Sequence, residues 1–188
     1  MLTPTQRRPV VSDSPPSVPR LLLQSLAARH TLLDGGWWPR SNDPVAELPG
    51  LILALDDYRG PIHHIMLGAA GWKSRPHLLE VAGRAIRLAW FTSMPADSLT
   101  AISANGARVD LLVVPPGVSM PTAWAAIGLA AQHANITHAP DLITAADRLL
   151  LPPDTAAETD WESEGGRPGP AEAEPARPGR AHAGRVGS

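Results

Sequence analysis

The sequence contains no cysteine among its 188 residues, and this absence excludes several kinds of chemistry. Disulfide frameworks, thiol nucleophiles, thiolate zinc sites and iron–sulfur ligation all need the missing side chain, and its absence favours a cytosolic protein. Long apolar runs are also missing. The longest one, residues 123–131, falls far short of the roughly 20 residues that cross a bilayer. We therefore expect a cytoplasmic protein with no membrane partner.

Neither positive nor negative charge is in large excess. The formal net charge is -2, and the 15 arginines and single lysine are nearly matched by 18 acids. Within residues 20–151 the acidic and basic side chains balance, so this part has no large positive field. We therefore expect no nucleic-acid partner.

Proline and acidic residues mark the domain boundaries. Of the 21 prolines, 11 lie before residue 20 or after residue 151. Both ends also lack the apolar residues needed to offset the entropy of ordering the chain. We predict a disordered segment over residues 1–19, a single domain over 20–151 and a disordered acidic Pro/Ala/Gly-rich tail over 152–188.

One predicted hairpin turns at Asn105-Gly106, a pair that favours a two-residue turn with positive φ. Pairing outward from this turn sets Ile102 opposite Val109 on a buried face.

A second predicted hairpin turns at Gly83-Arg84. Its pairing sets Val81 opposite Ile86, and Glu80 opposite Arg87 as a cross-strand charge pair.

Further strands are expected over residues 20–24, 62–67 and 111–114, and three helices follow from spacing and caps. The first begins at Asp43 and Pro44 and is expected to kink or restart at Pro49. The second begins near Ser119 with Trp124 facing inward, and the third ends before residue 152. The predicted fold is α+β, with an antiparallel sheet of about six to seven strands covered on one face by two to three helices.

The most unusual segment is residues 34–43, and its candidate site residues are Asp34, Trp37, Trp38 and Arg40. Two indoles, a guanidinium and a carboxylate around a glycine turn are typical of a recognition surface. The alternative is structural: the glycines turn the chain, one Trp packs under the first helix and Arg40 pairs with an acid.

The other motifs give little support for a phosphate-binding, catalytic or metal site. Residues 68–74 lack the glycine-to-lysine spacing of a phosphate loop, and no nucleophile elbow is present. The seven histidines have no paired ligand motif, since His63 and His64 as strand neighbours point to opposite faces. We expect no metal and no cofactor, and no catalytic residue is identified.

Residues 33–41, which read Leu-Asp-Gly-Gly-Trp-Trp-Pro-Arg-Ser, together with residues 110–116 resemble an uncharacterised actinobacterial family with a domain of unknown function. The resemblance covers residues 20–134 and implies a shared fold without an established activity. It also supports a strand over residues 20–24 and favours Trp37, Trp38 and Arg40 as site residues.

Three functions remain open. The leading hypothesis is a non-catalytic binding or regulatory module for a protein or small ligand, with its site around Trp37, Trp38 and Arg40. The alternative is an enzyme whose pocket gathers Asp34, Arg40 and a histidine such as His64 or His77. A purely structural domain is the third.

Overall fold

The computed structural model describes residues 8–24, 31–133 and 135–151, where one sheet carries three helices. The strands are β1 (Val10–Val11), β2 (Arg20–Leu23), β3 (Gly35–Trp38), β4 (Ile62–Gly68), β5 (Leu78–Val81), β6 (Arg84–Phe91), β7 (Ser98–Ser103) and β8 (Arg108–Val113). The helices are α1 (Pro44–Arg59), α2 (Met120–Ala130) and α3 (Ala139–Leu150). The predicted α+β class is confirmed, including the strand at residues 20–23.

The sheet is mixed and has eight strands in the order β1-β5-β6-β4-β7-β8-β3-β2. The pairs β1–β5, β3–β8 and β4–β6 are parallel, so the prediction of an antiparallel sheet with six to seven strands is wrong. Turn residues reveal only pairings between successive strands, whereas Gly35 of β3 pairs with the distant Leu111 of β8. Since β4 and β8 both run antiparallel to β7, the strands β3, β4, β6 and β8 end at the same edge.

Helices cover both faces of this sheet, not one face as predicted. On β8, Leu111 and Val113 belong to the core under α1, whereas Leu112 belongs to the core under α2 and α3. The first core is centred on four fully buried side chains of α1: Leu48, Leu51, Ile52 and Leu55. Five of the eleven buried residues in the second core are alanines of α2 and α3, which let these helices approach the sheet closely. Strand alternation thus divides one sheet between two cores.

The β7–β8 hairpin differs from its predicted register by one residue. Ala101, not Ile102, lies opposite Val109, because Gly106 with φ 83° closes a three-residue loop. Such loops place the residue before the second strand in the left-handed region, where glycine is favoured. Ala101 and Val109 are therefore the fully buried pair, and Ile102 lies opposite Arg108.

The β5–β6 hairpin turns one residue earlier than predicted, at Ala82 and Gly83, which both have positive φ. Glu80 consequently lies opposite Ala85, and the predicted cross-strand pair with Arg87 is absent. The partner shifts by two positions, so the buried face of the hairpin is unchanged.

Helix α1 begins as predicted: the Asp43 carboxylate accepts a hydrogen bond from the Val45 N–H (3.0 Å), and Pro44 occupies the first turn. The helix continues through Pro49, where a kink or restart was predicted. In α2, Ile127 is buried, but Trp124 is 44 % exposed, so the predicted core position of Trp124 is wrong.

The segment before β2 is partly structured. Val10 pairs with Leu79 in β1–β5, and the Ser17 carbonyl packs against Gly50 of α1, although the sequence predicts disorder over residues 1–19. The predicted disordered tail at 152–188 lies outside the described residues. Among the helices that are described, none has both the length and the apolar character needed to cross a membrane.

Candidate functional site

A pocket with a volume of about 270 Å³ lies at the edge of the sheet where β3, β4 and β8 end. Ligand clefts commonly form beyond the carboxyl ends of strands that run in the same direction. The described residues that line it come from the loops after these strands, the segment before β7 and α3: Pro39, Asn42, Ala70, Gly71, Trp72, Ala96, Asp97, Val113, Pro115, Pro116 and Ile143. The lining is therefore mainly apolar, as is usual for small-molecule sites.

Backbone contacts hold these segments together. A Cβ placed on Gly68 would lie 2.2 Å from the Pro95 carbonyl oxygen, so only glycine lets the β6–β7 segment cross the end of β4. The Val113 N–H then donates to the Asp97 carbonyl (2.8 Å), and the Lys73 N–H donates to the Asn42 carbonyl (2.9 Å). These two bonds join the segments in pairs: the end of β8 to the segment before β7, and the loop after β4 to the loop after β3.

Trp72 forms one wall of the pocket and is supported by two other tryptophans. Its ring stacks on Trp37 with centroids 6.1 Å apart and an interplanar angle of 18°, and it meets Trp90 edge to face at the same distance. The Trp90 Nε1 donates to the Pro76 carbonyl (2.8 Å), which fixes that ring. Trp72 is therefore held in place although it is only partly buried.

Asp97 is the only ionisable side chain among the described residues that line the pocket. Burial raises the pKa of its carboxyl above the ordinary 3.8; a hydrogen bond with its own backbone opposes the rise, and repulsion from Asp141 adds to it. No described cation lies within ion-pair distance of this carboxylate. The pocket consequently contains a negative charge that the surrounding described side chains do not neutralise.

A family model matches residues 20–130, more than half of the chain. The protein belongs to DUF5994, a family of unknown function. No significant match is found among curated proteins or among solved structures. The membership confirms the resemblance to a domain of unknown function, whereas the actinobacterial origin stays a prediction. Every residue that lines the pocket, except Ile143 of α3, falls within the matched part of this DUF5994 chain.

Asp34, the first predicted site residue, precedes β3 at the edge opposite the pocket. Its carboxylate accepts a hydrogen bond from the Asp110 N–H (2.8 Å) and lies 3.8 Å from the Arg59 guanidinium. These contacts connect β3 with β8 and with the end of α1. In the DUF5994 structure Asp34 thus stabilises the junction of three elements.

Arg40 lies beyond the other end of β3. Its backbone N–H donates to the Glu47 carboxylate (3.0 Å), and its guanidinium donates to the Val18 carbonyl (2.9 Å) and to Ser17 Oγ (3.3 Å). Arg40 therefore connects the β3–α1 loop with the segment before β2. The full length of β3 separates it from Asp34.

Trp37 and Trp38 are buried on opposite faces of the sheet, with 1 % and 6 % of their surface exposed. The guanidinium over Trp38 belongs to Arg20, which lies 3.4 Å from the ring centroid and donates to the Trp38 carbonyl (3.0 Å). The four predicted residues do not form one surface. Among them, Trp37 supports a pocket wall through its stacking on Trp72.

The histidines considered for catalysis lie apart from these residues. His64 is on β4, where burial, His63 and Arg87 lower its pKa, and His77 lies just before β5. Neither histidine has a described contact with Asp34 or Arg40, so the enzyme hypothesis is not favoured. The described part of the chain also contains no group of three His, Asp or Glu side chains able to hold a metal ion.

None of the described lining residues is among the four predicted site residues, and Asp97 and Trp72 are the most informative of those that the sequence did not identify. Trp72 belongs to residues 68–74, which lack the spacing of a phosphate loop, and Asp97 lies between two predicted hairpins without a motif around it. The sequence does contain a signal for the pocket, because the predicted strands at 62–67 and 111–114 are followed by glycine, proline and tryptophan. The missing information was that both strands point the same way.

Proposed function

We propose that this DUF5994 domain is a non-catalytic binding module that takes a small organic molecule in the pocket beyond β3, β4 and β8. The observation that carries the proposal is an apolar pocket of about 270 Å³ with one carboxyl among its lining side chains. This volume lies just below the range of roughly 300–1,000 Å³ occupied by drug-sized ligands. The proposed ligand is accordingly small.

The composition of the pocket supports binding over catalysis. Catalysis of acyl or proton transfer requires a nucleophile or base placed within hydrogen-bonding reach of a second catalytic group. Asp97 has no such partner among the lining residues that the structure describes; Asn42 is the other lining residue with a polar side-chain amide or acid. The lining residues are therefore better suited to orienting a bound molecule through one carboxyl than to catalysing a reaction.

The predicted residues keep a supporting part in this proposal. Trp37 backs the wall formed by Trp72, and the segment from Trp38 onward supplies Pro39 and Asn42. A cytoplasmic setting remains part of the proposal because the chain has no cysteine. Its balanced charge is the reason that we propose neither nucleic acid nor an anionic membrane as the partner.

A fragment screen by protein-observed NMR tests the proposal on the full chain. Fragments that enter the pocket are expected to shift the backbone amides of Gly71, Asp97 and Val113 together. Replacing Ile143 with tryptophan fills the pocket and should abolish these shifts. The matched control Thr144→Trp adds the same ring to the neighbouring exposed position on α3 and should preserve them.

Two outcomes contradict the proposed function. One is a screen in which no fragment shifts the pocket amides at millimolar concentration. The other is binding that Ile143→Trp leaves unchanged, because the fragments then occupy a different surface.

A further inference from the structure

We infer that the pocket binds an organic cation, a small molecule whose ammonium group pairs with Asp97 and whose apolar part lies against Trp72 and the neighbouring prolines. The inference rests on the proposed function and adds the chemical class of the ligand. It is carried by the position of one unneutralised carboxylate inside an otherwise apolar cavity.

The charge of the pocket favours a cation. Asp97 is the only ionisable lining side chain that the structure describes, and Asp141 on α3 is near enough to act on it through its own negative charge. A carboxylate in partly apolar surroundings gains from an ammonium partner, because the attraction is screened less there than in water. A cationic group on the ligand would pair with the Asp97 carboxylate, which has no ion-pair partner among the described residues.

An anionic ligand fits this pocket less well. No arginine or lysine of the described residues lines it, and the nearby Lys73 has an exposed side chain. The start of α1, where Asn42 lies, could attract an anion through its free N–H groups. That end is already supplied with carboxylates, since Asp43 accepts from the Val45 N–H and Glu47 lies in the first turn.

Trp72 adds a second feature that suits an organic cation. One side of its indole is taken by stacking on Trp37, and the ring remains partly exposed as a pocket wall. Indole faces attract ammonium groups and the polarised C–H groups beside them. Three further lining residues, Pro115, Pro116 and Val113, accommodate a hydrocarbon body, and Asn42 is the other lining residue with a polar side-chain amide or acid.

Three probes of nearly equal shape test this inference by titration calorimetry and NMR on the full chain. They are phenethylamine, phenethyl alcohol and phenylacetate, which carry a positive, a neutral and a negative group at neutral pH. Because a charge-assisted hydrogen bond exceeds a neutral one, phenethylamine should bind about tenfold more tightly than the alcohol. Phenylacetate should bind more weakly than either.

Asp97→Asn is the decisive variant because it keeps the shape of the side chain and removes its charge. It should reduce phenethylamine binding by about tenfold and leave the affinity for phenethyl alcohol nearly unchanged. The matched control is Asp57→Asn, which removes an exposed carboxylate from α1 and should preserve the preference for the amine. The comparison of the probes on the unaltered chain does not depend on any variant folding.

The outcomes separate this inference from the proposed function. Equal binding of amine and alcohol, or an amine preference that survives Asp97→Asn, overturns the cation class while the pocket remains a binding site. Failure of all three probes overturns it too, if other fragments still occupy the pocket. The proposed function itself is overturned by a fragment screen that also fails, or by fragment binding that Ile143→Trp leaves unchanged.

Discussion

The close contact between Gly68 and the β6–β7 segment leads to a sharp prediction about stability. In Gly68→Ala the new Cβ would lie 2.2 Å from the Pro95 carbonyl oxygen and 2.8 Å from the Ala96 Cα. Ordinary contact begins at 3.4 Å, so the segment must retreat by 1.2 Å (3.4 − 2.2) or the strand must shift. Overpacking of this kind costs about 1–3 kcal/mol, which outweighs the gain of about 0.4–1 kcal/mol from a less flexible unfolded chain.

Gly128→Ala is the matched control because the same methyl group is added where nothing lies within 4 Å. Gly128 is inside α2, so alanine should stabilise the protein by about 0.5–1 kcal/mol through helix propensity. Thermal and urea unfolding should therefore give opposite signs for the two variants, with each kcal/mol shifting Tm by about 2–4 °C. Gly68→Ala should also weaken fragment binding, since the displaced segment carries Asp97.

The reasoning is refuted if Gly68→Ala is as stable as the unaltered chain. That result would mean that the segment before β7 yields without cost and that Asp97 is not positioned by this crossing.

Three further perturbations follow from the described contacts. Asp97→Asn should raise Tm at neutral pH, because burial raises the pKa of the Asp97 carboxyl and the folded state therefore holds this proton more tightly. The stability that the bound proton contributes is lost as the pH rises through this pKa, so the difference in Tm between the variant and the unaltered chain should shrink as the pH falls towards 3.8. A difference in Tm that does not depend on pH would contradict this cause. Asp56→Ala should cost about 1–3 kcal/mol in urea unfolding because it leaves the first N–H of β4 unpaired and breaks an ion pair. The exposed neighbour in Asp57→Ala should change stability by less than about 0.5 kcal/mol, and similar values for the two would count against this role. Trp37→Ala should cost about 3–5 kcal/mol, well above the cost of Trp124→Ala, and the opposite order would contradict the burial of the two rings.

Local sequence signals predicted the elements that depend on neighbouring residues. The cap at Asp43, the apolar spacing of α1 and the strand at residues 62–68 all follow from side chains within one element. The hairpin turns were placed within one residue, but the registers were wrong. The reason is that Gly106 and Ala82 adopt left-handed conformations that select one loop length over another, and composition alone does not reveal them.

The candidate site was less predictable because it depends on non-local pairing. Tryptophan and arginine side chains drew attention to residues 37–40, yet strand alternation buries Trp37 and Trp38 on opposite faces. Which indole remains accessible to a ligand is decided by β3 pairing with β8 and by β4 pairing with β7, which together end β3, β4 and β8 at one edge of the sheet. Neither pairing leaves a turn signal, so Trp72 could not be separated from the other tryptophans in advance.

Three features that are unfavourable in an ordinary domain lie in this pocket or directly beside it. Gly68 gives up the stabilising effect of a side chain inside a strand, Trp72 leaves part of an indole in solvent, and Asp97 retains a charge that burial disfavours. An asparagine at residue 97 could accept the same hydrogen bond without the cost of the charge. Local departures of this kind concentrate at functional sites. Their convergence on one cavity therefore supports the proposal that the charge is retained for a ligand, independently of the shape of the pocket.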